Sequence, residues 1–317
     1  MDTKNLDIFI CTHKDFKCPV TNDVYKVLDM RNIDASMMHE GIKNSSFYSE
    51  IIGMMYVRKN LELKKYVGFC QYRRYFSFMD EIPDMDEICK EYDCVIAKPI
   101  KFNGCVREQY AIYHNEKDLD IVDDIIREKF KDYYKAWFLY LNGSIFIPYN
   151  MFIMKKEDFI DYIDFIEGVL NEYIDRVGSD IEKRIEDNKE DYIKDFPPSN
   201  SAEFQYRVGG YLAERLTPVF MINRFKSMKP YMVKITQKKN ETISNGEENE
   251  PKSRDNSEQQ QEQPKTRKRS RSKSKGESVQ DVEQHTVRTD DEKKATKRGR
   301  KPKSDGKTKS GTRGDGE

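Results

Sequence analysis

The chain has 317 residues, with 56 Lys and Arg against 56 Asp and Glu. All 17 Phe, all 19 Tyr and the single Trp precede residue 232, so the C-terminal remainder of the chain cannot bury enough apolar surface to offset the entropy of ordering. The neutral total divides into 34 basic and 40 acidic residues up to Gln237, and 22 and 16 from Lys238 onward; the first part is too acidic for a nucleic-acid surface, and no long apolar run marks a membrane span.

These shifts divide the chain into a domain over residues 1–237 and a disordered, low-complexity charged tail over 238–317. In chain order, "LDIFICTHK" (6–14) is an apolar, β-favouring run that breaks into Thr12-His13-Lys14, a strand ending in a loop. After a loop-rich stretch, 47–62 has helical spacing, with Ile51, Ile52, Met55 and Tyr56 on one stripe. "KYVGFCQYRRYF" (65–76) reads as a second strand and "DCVIAKP" (93–99) as a third. Residues 116–131 form an amphipathic helix through Leu119, Val122, Ile125, Ile126 and Phe130. "YNMFIMKKEDF" (149–159) is a strand running into a helix, and 202–216 is a further helix in spite of Gly209 and Gly210. Strands alternating with helices imply an α/β domain with a mostly parallel central sheet.

In such sheets ligands sit at the C-terminal strand ends, where Thr12, His13 and the run Tyr72-Arg73-Arg74 fall. Successive side chains on a strand point to opposite faces, so the two arginines cannot both enter one core. At least one of them needs an anion, and two kinds remain open: a diphosphate, or a carboxylate such as Glu50 or Glu214. Asp84-x-Asp86 either holds a divalent cation or caps a helix. The six cysteines have no C-x-x-C spacing and read as small buried hydrophobes. There is no phosphate loop, G-x-G-x-x-G, G-x-S-x-G or H-E-x-x-H. The Met1-Asp2-Thr3-Lys4 start and the lack of an apolar span lead to the expectation of a cytoplasmic protein.

Five stretches, "YSEIIGMMYVRKNLE", "YVGFCQYRRYF", "EQYAIYHNEKDLDIV", "YNMFIMKKEDFIDYIDF" and "FQYRVGGYLAERL", resemble, in order, the blocks of the DUF4422 family. That family comprises bacterial glycosyltransferase-like proteins associated with capsular and lipopolysaccharide synthesis. The resemblance runs from Ile8 to about Met221 and implies a GT-A-like, Rossmann-type domain. The implied activity moves a sugar from a nucleotide-sugar donor, a UDP-sugar, to a glycan or lipid-linked saccharide, with Mn or Mg as a candidate cofactor. It also implies donor-binding roles for Thr12, His13, Gln71, Tyr72, Arg73, Arg74, Asn150, Gln205 and Arg207. The acid–base candidates are Glu50, Glu203, Glu214 and His114, and the metal candidates are Asp84 and Asp86. Where the family pattern has C-H-Y-R-R-Y-F, this chain has Gln71; an amide does not titrate, so position 71 is expected to hydrogen-bond a sugar hydroxyl.

The tail carries "KTRKRSRSKSK" and a run, Arg298-Gly299-Arg300-Lys301-Pro302, that is similar to an AT-hook. Such basic runs bind nucleic-acid backbones or anionic membranes nonspecifically, which would place the enzyme peripherally at an inner membrane face. Two rival readings stand beside a surface-glycan transferase: a phage-type DNA-base glycosyltransferase whose tail holds DNA, and an inert sugar-nucleotide-binding scaffold.

Overall fold

The computed structural model describes residues 5–20 and 22–236. The expectations for the charged tail lie outside the described residues. β1 (Leu6–Thr12) is buried along its whole length and lies between two parallel neighbours, β2 (Tyr25–Asp29) and, beyond α1 (Ile51–Asn60), β3 (Tyr66–Gln71). The register sets Cys11 opposite Gln71, so β1 and β3 end level. The chain then turns at Tyr72-Arg73 and returns as β4 (Arg74–Phe76), with Gln71 paired to Arg74. The single strand expected over 65–76 is thus a hairpin. Reversal brings Tyr75 and Phe76 back into the core, both fully buried, and leaves Arg73 on the turn.

A short helix α2 (Met85–Ile88) leads to β5 (Cys94–Ala97). Next come β6 (Ile100–Lys101), α3 (Val106–Tyr113), α4 (Glu116–Lys129), α5 (Tyr134–Asn142) and β7 (Ile145–Phe146), with β6 and β7 forming a separate two-stranded piece. β8 (Phe152–Lys155) runs straight into α6 (Lys156–Val177) and pairs antiparallel with both β3 and β5. Two short helices, α7 (Ile181–Asp187) and α8 (Lys189–Tyr192), precede α9 (Ala202–Gln205) and α10 (Val208–Arg224). β9 (Met228–Tyr231) pairs in parallel with β5, and β10 (Val233–Ile235) pairs antiparallel with β4.

The resulting order is β2-β1-β3-β8-β5-β9, with β4 and β10 continuing past the end of β3. Six of the eight strands point one way; β4 and β8 run against them. The fold is therefore α/β with a mostly parallel central sheet, as expected.

Both faces are covered, which explains why the strands read as continuous apolar runs. Phe9 and Cys11 of β1, Val67 and Phe69 of β3, and Phe152 and Met154 of β8 enter the larger core beneath α1, α4, α5, α6 and α10. The alternate residues Ile8, Ile10, Tyr66, Cys70 and Ile153 enter a smaller core with Tyr75, Phe76 and Met85. All six cysteines are free, and Cys11, Cys70 and Cys94 are buried. Among the described residues no helix is long and apolar enough to cross a membrane.

Candidate active site

Because β8 runs against its neighbours, its N-terminal end lies beside the C-terminal ends of β1 and β3. The residues just before it, Tyr149 and Asn150, have φ of 76° and 50°, and Ser49, just before α1, has φ of 50°. These are the three non-glycine residues with positive φ among the described residues, and all lie on this one edge. Such backbone costs on the order of 1–3 kcal/mol per residue and persists where surrounding contacts over-determine it. Here the contacts are with two carboxylates. Tyr149 N donates to Glu214 Oε1 at 3.3 Å, and Asn150 Nδ2 donates to Glu50 Oε1 at 3.0 Å. Asn150 is itself fixed by Thr217, whose hydroxyl donates to Asn150 Oδ1 at 2.8 Å.

The β3–β4 hairpin closes onto the same turn. Gln71 Nε2 donates to Tyr149 O at 3.2 Å, and Arg74 Nη1 donates to Gln71 Oε1 at 2.7 Å. The Arg74 guanidinium lies 4.6 Å from the centre of the Tyr149 ring, and its Nε is buried without a hydrogen-bond partner. Neither carboxylate that could have neutralised Arg74 does so: Glu50 is taken by Asn150 and Glu214 by Arg215, 3.1 Å away.

Opposite the hairpin, α10 starts against the segment that carries Ser49 and Glu50. A Cβ at Gly209 would meet the Phe47 carbonyl oxygen at 2.8 Å, and one at Gly210 would meet Ser49 Cβ at 2.6 Å. The two glycines permit this approach, and they explain why the helix expected over 202–216 is broken: α9 stops at Gln205 and α10 begins where close packing needs it. The intervening Arg207 is exposed, donates from Nε to Ser49 Oγ at 3.0 Å, and lies 5.6 Å from the Tyr211 ring centre.

At the mouth, His13 packs edge-on against Tyr72 at 5.6 Å, and the Arg73 guanidinium lies 5.0 Å from the same ring. Partial desolvation, then the charges of Lys14, Arg207, Arg73 and Arg31, hold the His13 imidazole below its ordinary range. The edge is electropositive. Further in, burial pushes the Glu214 carboxyl up, Arg215 pulls it down, and Glu50 pushes it up again.

Other sequence candidates fall outside this group. Thr12 is buried and uses its hydroxyl locally, donating to Lys14 O at 2.9 Å. His114 is buried behind Tyr211, stacked at 4.0 Å, with Nδ1 3.1 Å from Gln205 Oε1. Burial and Arg215 hold its pKa down to about 3, so it is a neutral packing residue rather than an acid–base group at the edge. Gln205 is spent inside, with Nε2 donating to Tyr113 O at 2.9 Å, and Glu203 is exposed on α9. Asp84 caps α2, accepting from Asp86 N at 2.8 Å, and Asp86 accepts from the Tyr66 hydroxyl at 2.6 Å and pairs with Lys65. Tyr66 opens β3, so both aspartates lie at the opposite end of the strand from Gln71. No group of three or more metal-ligating side chains occurs among the described residues. Capping accounts for Asp84, and Lys65 with the Tyr66 hydroxyl accounts for Asp86.

Nothing in the sequence marks Ser49, Tyr149 or Thr217 beyond the turn signal of Pro148-Tyr149-Asn150 before a strand, whereas the adjacent Glu214-Arg215 reads as an ion pair on its helix, which the 3.1 Å contact forms. A hollow of about 260 Å³ lies elsewhere, between α1 and α6, lined by His39, Met55, Arg58, Lys59, Asp164 and Glu167. Its Arg58 already pairs with Asp164 at 3.4 Å, whereas Arg74 and Arg207 at the strand-end edge have no carboxylate in ion-pair range among the described residues.

The fold is similar to that of the bifunctional glycosyltransferase WbbM in its apo structure, with a TM-score of 0.55 and 18% identity over 73% of this chain. The match covers 45% of that chain, so the present sequence corresponds to less than half of it. At this identity the likeness is one of fold. No curated protein matches. The profile of DUF4422, described as a domain of unknown function, matches residues 7–225, and the chain belongs to this family.

Proposed function

We propose that the chain is a glycosyltransferase that moves a sugar from a nucleoside-diphosphate donor to an acceptor hydroxyl at the strand-end edge. The observation that carries this reading is the meeting of two kinds of group there. Arg74 and Arg207 have no carboxylate in ion-pair range among the described residues, and beside them stand two carboxylates fixed by the Tyr149-Asn150 turn.

Transfer needs cations where the leaving diphosphate develops charge and a base for the acceptor proton. Arg74, Arg207 and Arg73 meet the first need. Glu50 meets the second, because its Oε1 accepts from Asn150 while Oε2 remains for the acceptor. Glu214 has one oxygen on Tyr149 N and the other on Arg215, and supplies a fixed negative charge for the positive charge that grows on the sugar ring. Gln71 presents the donor sugar with an amide held by Arg74 and Tyr149. The donor is a UDP-sugar and the acceptor a glycan or lipid-linked saccharide, in keeping with the family's association with surface polysaccharides.

A panel of nucleotide sugars, assayed for nucleoside-diphosphate release with and without manganese, tests the reading. Release from one donor, accelerated by a saccharide acceptor, is expected. Binding of a donor with no release across the whole panel would make the chain a sugar-nucleotide binder instead.

A further inference from the structure

Arg215 is 1% exposed, an expensive place for a guanidinium. It lies between two aromatic rings, 4.9 Å from the centre of Tyr110 and 5.0 Å from that of Phe146. Nη1 donates to Glu214 Oε2 at 3.1 Å and to Tyr211 O at 3.3 Å; Nη2 donates to Gln109 Oε1, and Nε has no partner. Clamped on both faces and at both amino ends, the group cannot swing with the side chain it serves. Glu214, by contrast, keeps 24% of its side chain accessible.

We propose that Arg215 is the positioning residue of this edge: it holds the Glu214 carboxylate charged and aligned with Tyr149 N–H, and Gln109 of α3 fixes Arg215 in turn. This rests on the reading of Glu214 as the fixed charge beneath the donor sugar. The same carboxylate is faced by Glu50 before α1, by Arg207 at the α9–α10 junction, and by the tyrosines Tyr211 of α10 and Tyr140 of α5. His114, on the far side of Arg215, is neutral. Of these groups only Arg207 shares the sign of Arg215, and it is exposed and hydrogen-bonded to Ser49. Screening by water weakens its hold on Glu214. A purely architectural role would be filled as well by an apolar side chain between Tyr110 and Phe146, since buried ion pairs seldom outdo hydrophobic isosteres.

The test uses the full chain labelled with ¹³C at the glutamate side-chain carboxyls, the Glu214 signal being assigned by its loss in Glu214→Gln. In Arg215→Met the Glu214 titration midpoint should move up by about 1–3 units, the effect of removing an adjacent opposite charge. The acidic limb of the rate of nucleoside-diphosphate release should move with it, while affinity for the free nucleoside diphosphate changes less than about twofold, a shift below the weight of a direct contact. Should Arg215→Met not fold, Gln109→Glu, at a half-buried position, gives Arg215 a second carboxylate to share, and the midpoint should rise by a smaller amount. A folded variant whose Glu214 midpoint stays at the wild-type value overturns the proposal. The carboxyl midpoint decides it without turnover. A midpoint that moves in a protein releasing no nucleoside diphosphate from any donor would uphold Arg215's hold on Glu214 and count against the transferase reading.

Discussion

Replacing Arg74 with alanine separates the ligand role of this guanidinium from its architectural one. In the unliganded chain Arg74 makes one hydrogen bond, to Gln71 Oε1 at 2.7 Å, and one ring contact, with Tyr149 at 4.6 Å. At a half-buried position the two contribute about 1 kcal/mol to folding, and their loss should lower Tm by roughly 2–4 °C. Nη2 makes no hydrogen bond among the described residues, and a diphosphate oxygen would supply it with a charge-assisted bond worth about 1.5–3 kcal/mol. Affinity for a nucleoside diphosphate should therefore fall by roughly 10- to 150-fold in Arg74→Ala. Arg74→Lys should recover part of that loss, because an ammonium lacks the planar fork. Calorimetric titration with UDP on each folded variant measures the difference. An unchanged Kd in Arg74→Ala would refute the reasoning and leave Arg74 as a prop for the Tyr149 turn.

Gln71→His should keep the fold, because a neutral imidazole offers the one donor and one acceptor that Gln71 uses toward Tyr149 and Arg74; the rate should change by less than about tenfold, and a gain on the order of 10²–10⁴ with a new pH limb near the imidazole pKa would mark position 71 as an acid–base site. Asn150→Ala strands Glu50 and Thr217 and strains a backbone at φ 50°, so it should destabilise by about 1–3 kcal/mol, whereas Asn150→Gly should relieve the strain without restoring the turnover; equal stability of the two in urea would contradict this. Asp86→Asn should leave UDP affinity and its manganese dependence unchanged in calorimetry while lowering stability slightly, since the carboxylate serves Lys65 and Tyr66. His114, held down to about 3 when folded and titrating near 6.5 when unfolded, gains its proton first in the unfolded chain as pH falls through that window. It should therefore cost about 2 kcal/mol of stability between pH 7.5 and 5, a slope that urea titrations should find reduced in His114→Gln.

Local pattern was enough for strands buried on both faces and for helices with a clear apolar stripe. β1, β5, β8 and the helices α1, α4 and α6 follow directly from runs and stripes such as Leu6–Thr12 and Leu119–Val122–Ile126. It failed where tertiary contact overrode it. Tyr72-Arg73 contains no Gly, Pro or Asn to announce a turn, yet the chain reverses there because Tyr75 and Phe76 have β10 and the smaller core to enter. The break after Gln205 depends on Phe47 and Ser49, some 160 residues earlier in the chain, and no window over 202–216 contains them. β9 includes Pro230, which an edge strand tolerates, and its four residues carried no alternation.

The site divides in the same way. Arg74 was legible because a charged side chain at the end of a buried strand calls for a partner, and Gln71 because it stands where the resembling family pattern has His. Tyr149 was not, because its role arises from a contact with Glu214 and an unusual φ, neither of which has a spacing; of Arg215 only the ion pair with its neighbour Glu214 was legible, not the clamp of Tyr110, Phe146 and Gln109 around it. His114 and Gln205 drew attention as chemically able residues, but burial turned them toward each other.

The central claim is that a nucleoside diphosphate binds across the strand-end edge. A crystal structure of the chain with UDP bound measures this directly. The account predicts the diphosphate against Arg74 and Arg207, with the β-phosphate facing the Glu50 and Glu214 carboxylates across the space for the sugar. A diphosphate seated instead in the hollow of Arg58, Lys59 and His39, with the edge empty, would contradict it.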